Sequence, residues 1–210
     1  MSEINKIIYP YEVFIQNLNV EHKYKIKWNS EFGMDLESLN WKKVHSLTNS
    51  LTEDTSLRWL QFRIIHRCIG TNSLLFKQNI IDSELCSFCQ SQTESINHLF
   101  FLCNISRDFW KDVSDWLQEQ LHIPINLENL DVIFGKNIKN EPLVLNIIIL
   151  LGKSHIYRQR CKQLCPRLQL FLIDLKFYYN IERYIYLRKN KMAFFEKRWH
   201  SLNEFFNHDT

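Results

Sequence analysis

Cys86 and Cys89 enclose two residues, His98 follows after eight more and Cys103 after a further four, so the stretch reads Cys-x2-Cys-x8-His-x4-Cys. Thiolate and imidazole are the ligands a borderline-soft zinc ion takes, and four of them close together can fill its tetrahedron. The Cys-x-x-Cys turn lets successive backbone N–H groups point at sulfur while both sulfurs meet one ion; the second segment brings the His and the third Cys. Four protein ligands leave no open position for water. The expected cofactor is therefore structural Zn2+, a staple worth on the order of 10 kcal/mol, and no catalytic residue is assigned. The bland alternative is three buried thiols and one satisfied histidine. Ligand type, number and spacing agree together, which favours zinc.

The retroviral nucleocapsid knuckle is excluded, since it places four residues before its His and has glycines in its loop, whereas here there are eight and no Gly. Cys161 and Cys165, with His155 upstream, form a weaker second candidate, for which packing thiols are the default. Two groups of cations could meet a polyanion. Arg58, Arg63, His66 and Arg67 ride on the helix before the module, either as the solvent side of a core helix, the default, or as phosphate contacts. The second group lies in residues 151–200, where twelve Lys or Arg face three acids, although the whole chain carries only +3. Lys153, Arg158, Arg160, Lys162 and Arg167 are the candidates there, and a nucleic-acid surface and a solvated helix face remain equally open.

Over the whole chain, 210 residues at 45% hydrophobic can build a substantial core, while four Gly and four Pro are too few for the turns of a sandwich or barrel. The fold class is mostly α, a helical bundle with an embedded Cys-Cys-His-Cys zinc knuckle. Residues 1–36 read as a leading segment, in which 4–20 have no clean period and look like a continuation of something upstream, and Tyr24, Ile26 and Trp28 mark a short helix or strand ended at Phe32-Gly33. Residues 37–122 form a helical region holding the module at 84–104. Its helices are capped by Ser38, by Thr52 or Thr55 and by Thr71, with Gly70 closing the second. Glu94 to Cys103 reads as a helical turn, followed by an amphipathic helix through Phe109 and Leu117.

Residues 123–206 form a basic, aromatic helical region. A short helix stops at Gly135, a loop covers Asn137 to Glu141, Pro142 opens an apolar helix to Arg160, and Pro166 starts a long one to about Asn190. That long helix is apolar on more than one face, so it either sits centrally or packs on a partner. A last amphipathic helix carries Phe194, Phe195, Trp199 and Leu202, and Asn207 to Thr210 should fray. The N-terminus has no secretory pattern and the most apolar run is too short to span a bilayer, so reduced thiols, an intracellular location in nucleus or cytoplasm and no membrane partner are expected.

The order Trp59 to Arg67, Thr71, Cys86-x2-Cys89, Glu94 to Cys103 and Phe109-Trp110 resembles the zinc-binding region that follows the polymerase domain in non-LTR (LINE-type) retrotransposon reverse transcriptases. The tail is similar too: a Lys and Ile on the post-zinc helix, a Glu-Arg pair and a closing Lys-x-Trp match Lys153, Ile156, Glu182-Arg183 and Lys197-Arg198-Trp199. The resemblance implies Cys86, Cys89, His98 and Cys103 as ligands, RNA or DNA as partner, and the rest of a reverse transcriptase polyprotein as a further one. Those polymerases carry paired aspartates in their catalytic motif, and this chain has no Asp-Asp pair. Polymerase chemistry is therefore not assigned to it. A zinc-stapled protein–protein interaction module, or a truncated element without selected role, are the alternatives. A catalytic zinc enzyme, with an exposed Glu94 as its only base, ranks last.

Overall fold

Apolar residues at three- and four-residue spacing, with few breakers between them, fold into helices throughout a computed structural model that describes residues 20–33, 36, 39–136 and 144–207. The readings of 4–19, of Ser38, of the 137–141 loop, of Pro142 and of the last three residues lie outside those. Among the described residues the only β pairing is an isolated antiparallel bridge between Leu85 and Thr93, which closes the Cys86–Cys89 turn.

Helix α1 (Val20–Phe32) settles the helix-or-strand ambiguity around Trp28. The Trp28 ring is fully buried and its Nε1–H donates to the Ile65 carbonyl. Helices α2 (Trp41–Leu51) and α3 (Thr55–Ile65) are capped by Asn40 and Asp54, rather than by Ser38 and by Thr52 or Thr55. Asp54 Oδ1 accepts from the backbone of Ser56 and Leu57, satisfying two of the orphan donors of the first turn. Thr52 instead receives the Asp54 backbone N–H and the Tyr178 hydroxyl. α3 ends before Gly70 is reached: Arg67 itself takes the left-handed conformation, at φ 58°.

After the short α4 (Asn72–Lys77) and the cysteine turn, the chain forms one π turn (His98–Leu102) and enters α5 (Asn104–Leu121) at Cys103. A π turn leaves carbonyls out of the α ladder, and here two of them are answered from α5. Ser106 Oγ donates to the Leu99 carbonyl and Trp110 Nε1 to that of Phe100, both buried. The aromatic pair Phe109-Trp110 thus anchors the metal segment to its following helix.

Helix α6 (Asn129–Phe134) stops at Gly135, where φ is 89° and an added Cβ would collide with the Leu47 side chain. Helix α7 (Leu145–Cys161) is the central element, buried on all sides from Leu145 to Lys153, and it touches α3, α6, the π turn and α8 (Leu168–Arg188). Trp110 lies so close to it that a Cβ on Gly152 would overlap the ring. α9 (Met192–Trp199), a 3-10 turn (His200–Leu202) and α10 (Asn203–Asn207) fold back on α8 and α5 through Phe195, Trp199 and Leu202. Buried apolar residues from Tyr24 to Leu202 form one continuous core.

Candidate metal centre

The β-bridge, the π turn and the start of α5 bring four side chains to one point. One ligand atom from each of Cys86, Cys89, His98 and Cys103 lies within 4.8 Å of the others. Cys86 Sγ and Cys103 Sγ are 3.9 Å apart, and Cys89 Sγ is 3.4 Å from His98 Nε2. With zinc–sulfur and zinc–nitrogen bonds of about 2.3 and 2.0 Å, the edges of a tetrahedron are about 3.8 Å between sulfurs and about 3.5 Å between sulfur and nitrogen. The observed spacings therefore suit one ion at the centre better than two direct hydrogen bonds.

Electrostatics agree with that fit. Contact with Cys103 Sγ, and burial after it, push the Cys86 thiol well above its ordinary range, while the same contact holds Cys103 below its own. Without a cation the two sulfurs share a proton, which a metal ion would displace. The Phe88 backbone N–H points at Cys86 Sγ (3.4 Å) and Ser91 Oγ lies 3.2 Å from Cys89 Sγ, the kind of outer contact that orients thiolate ligands. The cofactor this donor set suits is structural Zn2+. Cys86, Cys89, His98 and Cys103 would hold it, and its chemistry would be cross-linking alone, since four side chains complete the tetrahedron.

Glu94, expected at the surface as a candidate base, is fully buried. Burial follows from what it binds: the backbone N–H of Asn72 (2.9 Å), that of Ser87 inside the cysteine turn (2.7 Å), and the Arg160 guanidinium through Nε (2.7 Å). Arg160 Nη2 also donates to Asn72 Oδ1. Arg160, a candidate phosphate contact in the sequence, is thus consumed in a buried ion pair that ties the end of α7 to the metal turn. Sequence reasoning missed the role of both residues; the signal available was Glu94's position within the Glu94-to-Cys103 run.

Lys153 is corrected in the same way. Its ammonium is completely buried, donates to Gln61 Oε1 (2.5 Å) and the Ile133 carbonyl (3.3 Å), and burial drives its pKa down to about 7. It cannot reach a polyanion; it joins α3, α6 and α7. Arg67 pairs with Glu31 (2.5 Å) and covers the Trp28 ring at 4.3 Å, Arg58 donates to the Thr52 and Asn49 carbonyls, and Arg158 pairs with Asp174 (2.6 Å). Arg63 leans over Tyr157, at 5.8 Å to the ring centroid. Lys162 and Arg167 are exposed.

The second metal candidate does not assemble. α7 ends at Cys161, Gln163 turns left-handed at φ 58°, and Cys165 leaves the helix, so the i, i+4 relation is absent. His155 is buried against Phe109 and its Nδ1 bonds Asp174 at 2.7 Å. Farther along, Glu182 accepts from Arg198 (2.5 Å) and from Trp199 Nε1 (2.6 Å). The Glu-Arg and Lys-x-Trp patterns of the tail therefore meet in one buried network.

Residues 9–110 match the model of the family described as zinc-binding in reverse transcriptase. The matched stretch holds all four clustered side chains, so a zinc-binding region of the reverse-transcriptase-associated kind lies in this half of the chain. No curated protein matches the chain. Among the described residues no helix is long and apolar enough to cross a membrane.

Proposed function

We propose that this protein is a non-catalytic, zinc-stapled helical module that binds RNA or DNA, of the kind found at the end of LINE-type reverse transcriptases. The observation that carries the reading is the set of cations left over once the buried ones are removed. Lys162, Arg167, Arg183, Arg188, Lys191 and Lys197 are all exposed, and no ion pair among the described residues engages them. Unpaired surface cations at this density attract phosphate chiefly by releasing counterions from it. Trp59 supports a single-stranded partner: it is exposed and lies nearly parallel to Phe62 (6°, 5.1 Å), with its outer face open for a base.

The test is the salt dependence of binding to a single-stranded 20-mer. Affinity should fall steeply with salt, and Glu at Lys162, Arg167, Lys191 and Lys197 together should flatten the slope by roughly 0.7 for each phosphate that is no longer neutralised. Affinity independent of salt, or unmoved by the four reversals, rejects the reading.

A further inference from the structure

Six large apolar side chains on the outer side of α8 have no neighbour covering them. Leu170, Ile173, Phe177, Ile181, Tyr184 and Leu187 follow at three- or four-residue steps and are each 42 to 67% exposed. They form a stripe about 25 Å long. The opposite side of α8, through Phe171, Leu175 and Glu182, is the one that packs on the core. Phe177 and Ile181 also form one wall of a groove of about 640 Å³ between α8 and α3, whose floor is Leu57, Leu60 and Leu151. Arg63 stands in the facing wall. Its Nε is buried with no hydrogen-bond partner, and its guanidinium rests on the Tyr157 ring.

An apolar groove with an unanswered guanidinium asks for a ligand that brings both hydrocarbon and a carboxylate. A small amphiphile could fill the groove, but it would leave most of the stripe in water. Steps of three and four residues are the complement of another helix. A second copy would bring the Arg183 and Arg188 flanks of one stripe against the same cations of the other. We propose that the α3–α8 groove and the α8 stripe together receive an amphipathic helix of another protein, one that carries acidic side chains beside its apolar face. Such docking is independent of nucleic-acid binding.

The probe is a designed 21-residue helix with Leu at the a and d positions of each heptad and Glu at e and g, measured by fluorescence anisotropy on the zinc-loaded full chain. Two control peptides carry Lys at e and g, or Ser at a and d. The Glu/Leu peptide should bind at least tenfold tighter than either control. Phe177→Ser with Ile181→Ser should cost at least tenfold, and Arg63→Gln several-fold for the Glu/Leu peptide alone. Both exposed positions tolerate polar groups, and zinc content with thermal unfolding verifies the variants. Equal affinity for all three peptides, or indifference to the substitutions, overturns the proposal. So does a concentration-dependent dimer that Phe177→Ser with Ile181→Ser abolishes, which assigns the stripe to a second copy. Loss of RNA 20-mer binding in that variant, with peptide binding kept, assigns it to nucleic acid.

Discussion

A carboxylate with no solvent contact must have its lone pairs answered by the protein, and Glu94 is answered by two backbone N–H groups and one guanidinium. Glu94→Gln replaces an acceptor oxygen with a donor facing Arg160, leaving a buried charge uncompensated. The expected loss is about 3 kcal/mol of stability, read by urea denaturation, with faster zinc release to a chromogenic chelator; unchanged values in both would remove Glu94 from the support of the metal turn. Lys153 makes a second prediction at this scale. Its folded pKa lies near 7, below its unfolded value of 10.5. Between those pH values the unfolded chain holds a proton that the folded one lacks. Stability should therefore rise with pH from about 7 to about 10, by up to about 1.4 kcal/mol per unit from this group. The burial cost should be full below pH 7. Lys153→Met should erase that slope in denaturation curves taken across the range.

At the level of elements, the metal turn works as a clamp between segments that hold little structure by themselves. The Cys86–Cys89 loop has one β-bridge, and the π turn depends on Ser106 and Trp110 for its carbonyls. The ion would join both to the first residue before α5. Removing zinc with a strong chelator should lower the melting temperature by tens of degrees and reduce helical circular dichroism, given on the order of 10 kcal/mol of metal-linked folding energy. Acid should act the same way, because thiolates and imidazole must lose protons to bind. A chain that keeps its full signal and melting temperature without metal would refute this clamp.

Across the whole molecule, three buried polar ties cross the single core. Glu94 with Arg160 joins the metal turn to α7, Gln61 with Lys153 joins α3 to α7, and Glu182 with Arg198 and Trp199 joins α8 to α9. Each crosses an interface where a helix could otherwise slide along an apolar neighbour, since hydrophobic contact is non-directional. Burial raises the carboxyl pKa of Glu182 even with Arg198 beside it. Polar ties of this kind lie on the inside of the molecule, while Lys162, Arg167 and the cations of the last two long helices remain outside.

The helices, their approximate lengths and the four converging ligands could be read from residue types and spacing, because helical period and Cys-x-x-Cys turns are local properties. Caps were less legible: Asn40 and Asp54 compete with nearby Ser and Thr, and one hydrogen bond decides between them. Whether a given Lys, Arg or Glu faces water was not legible at all. Lys153, Arg160 and Glu94 look like surface charges in a linear chain, and became interior ones only because α3, α6 and the metal turn close over α7. Local periodicity determined which segments are helical and which side chains can hold zinc. Tertiary packing decided which charges are spent inside, because desolvation depends on residues up to ninety positions away along the chain.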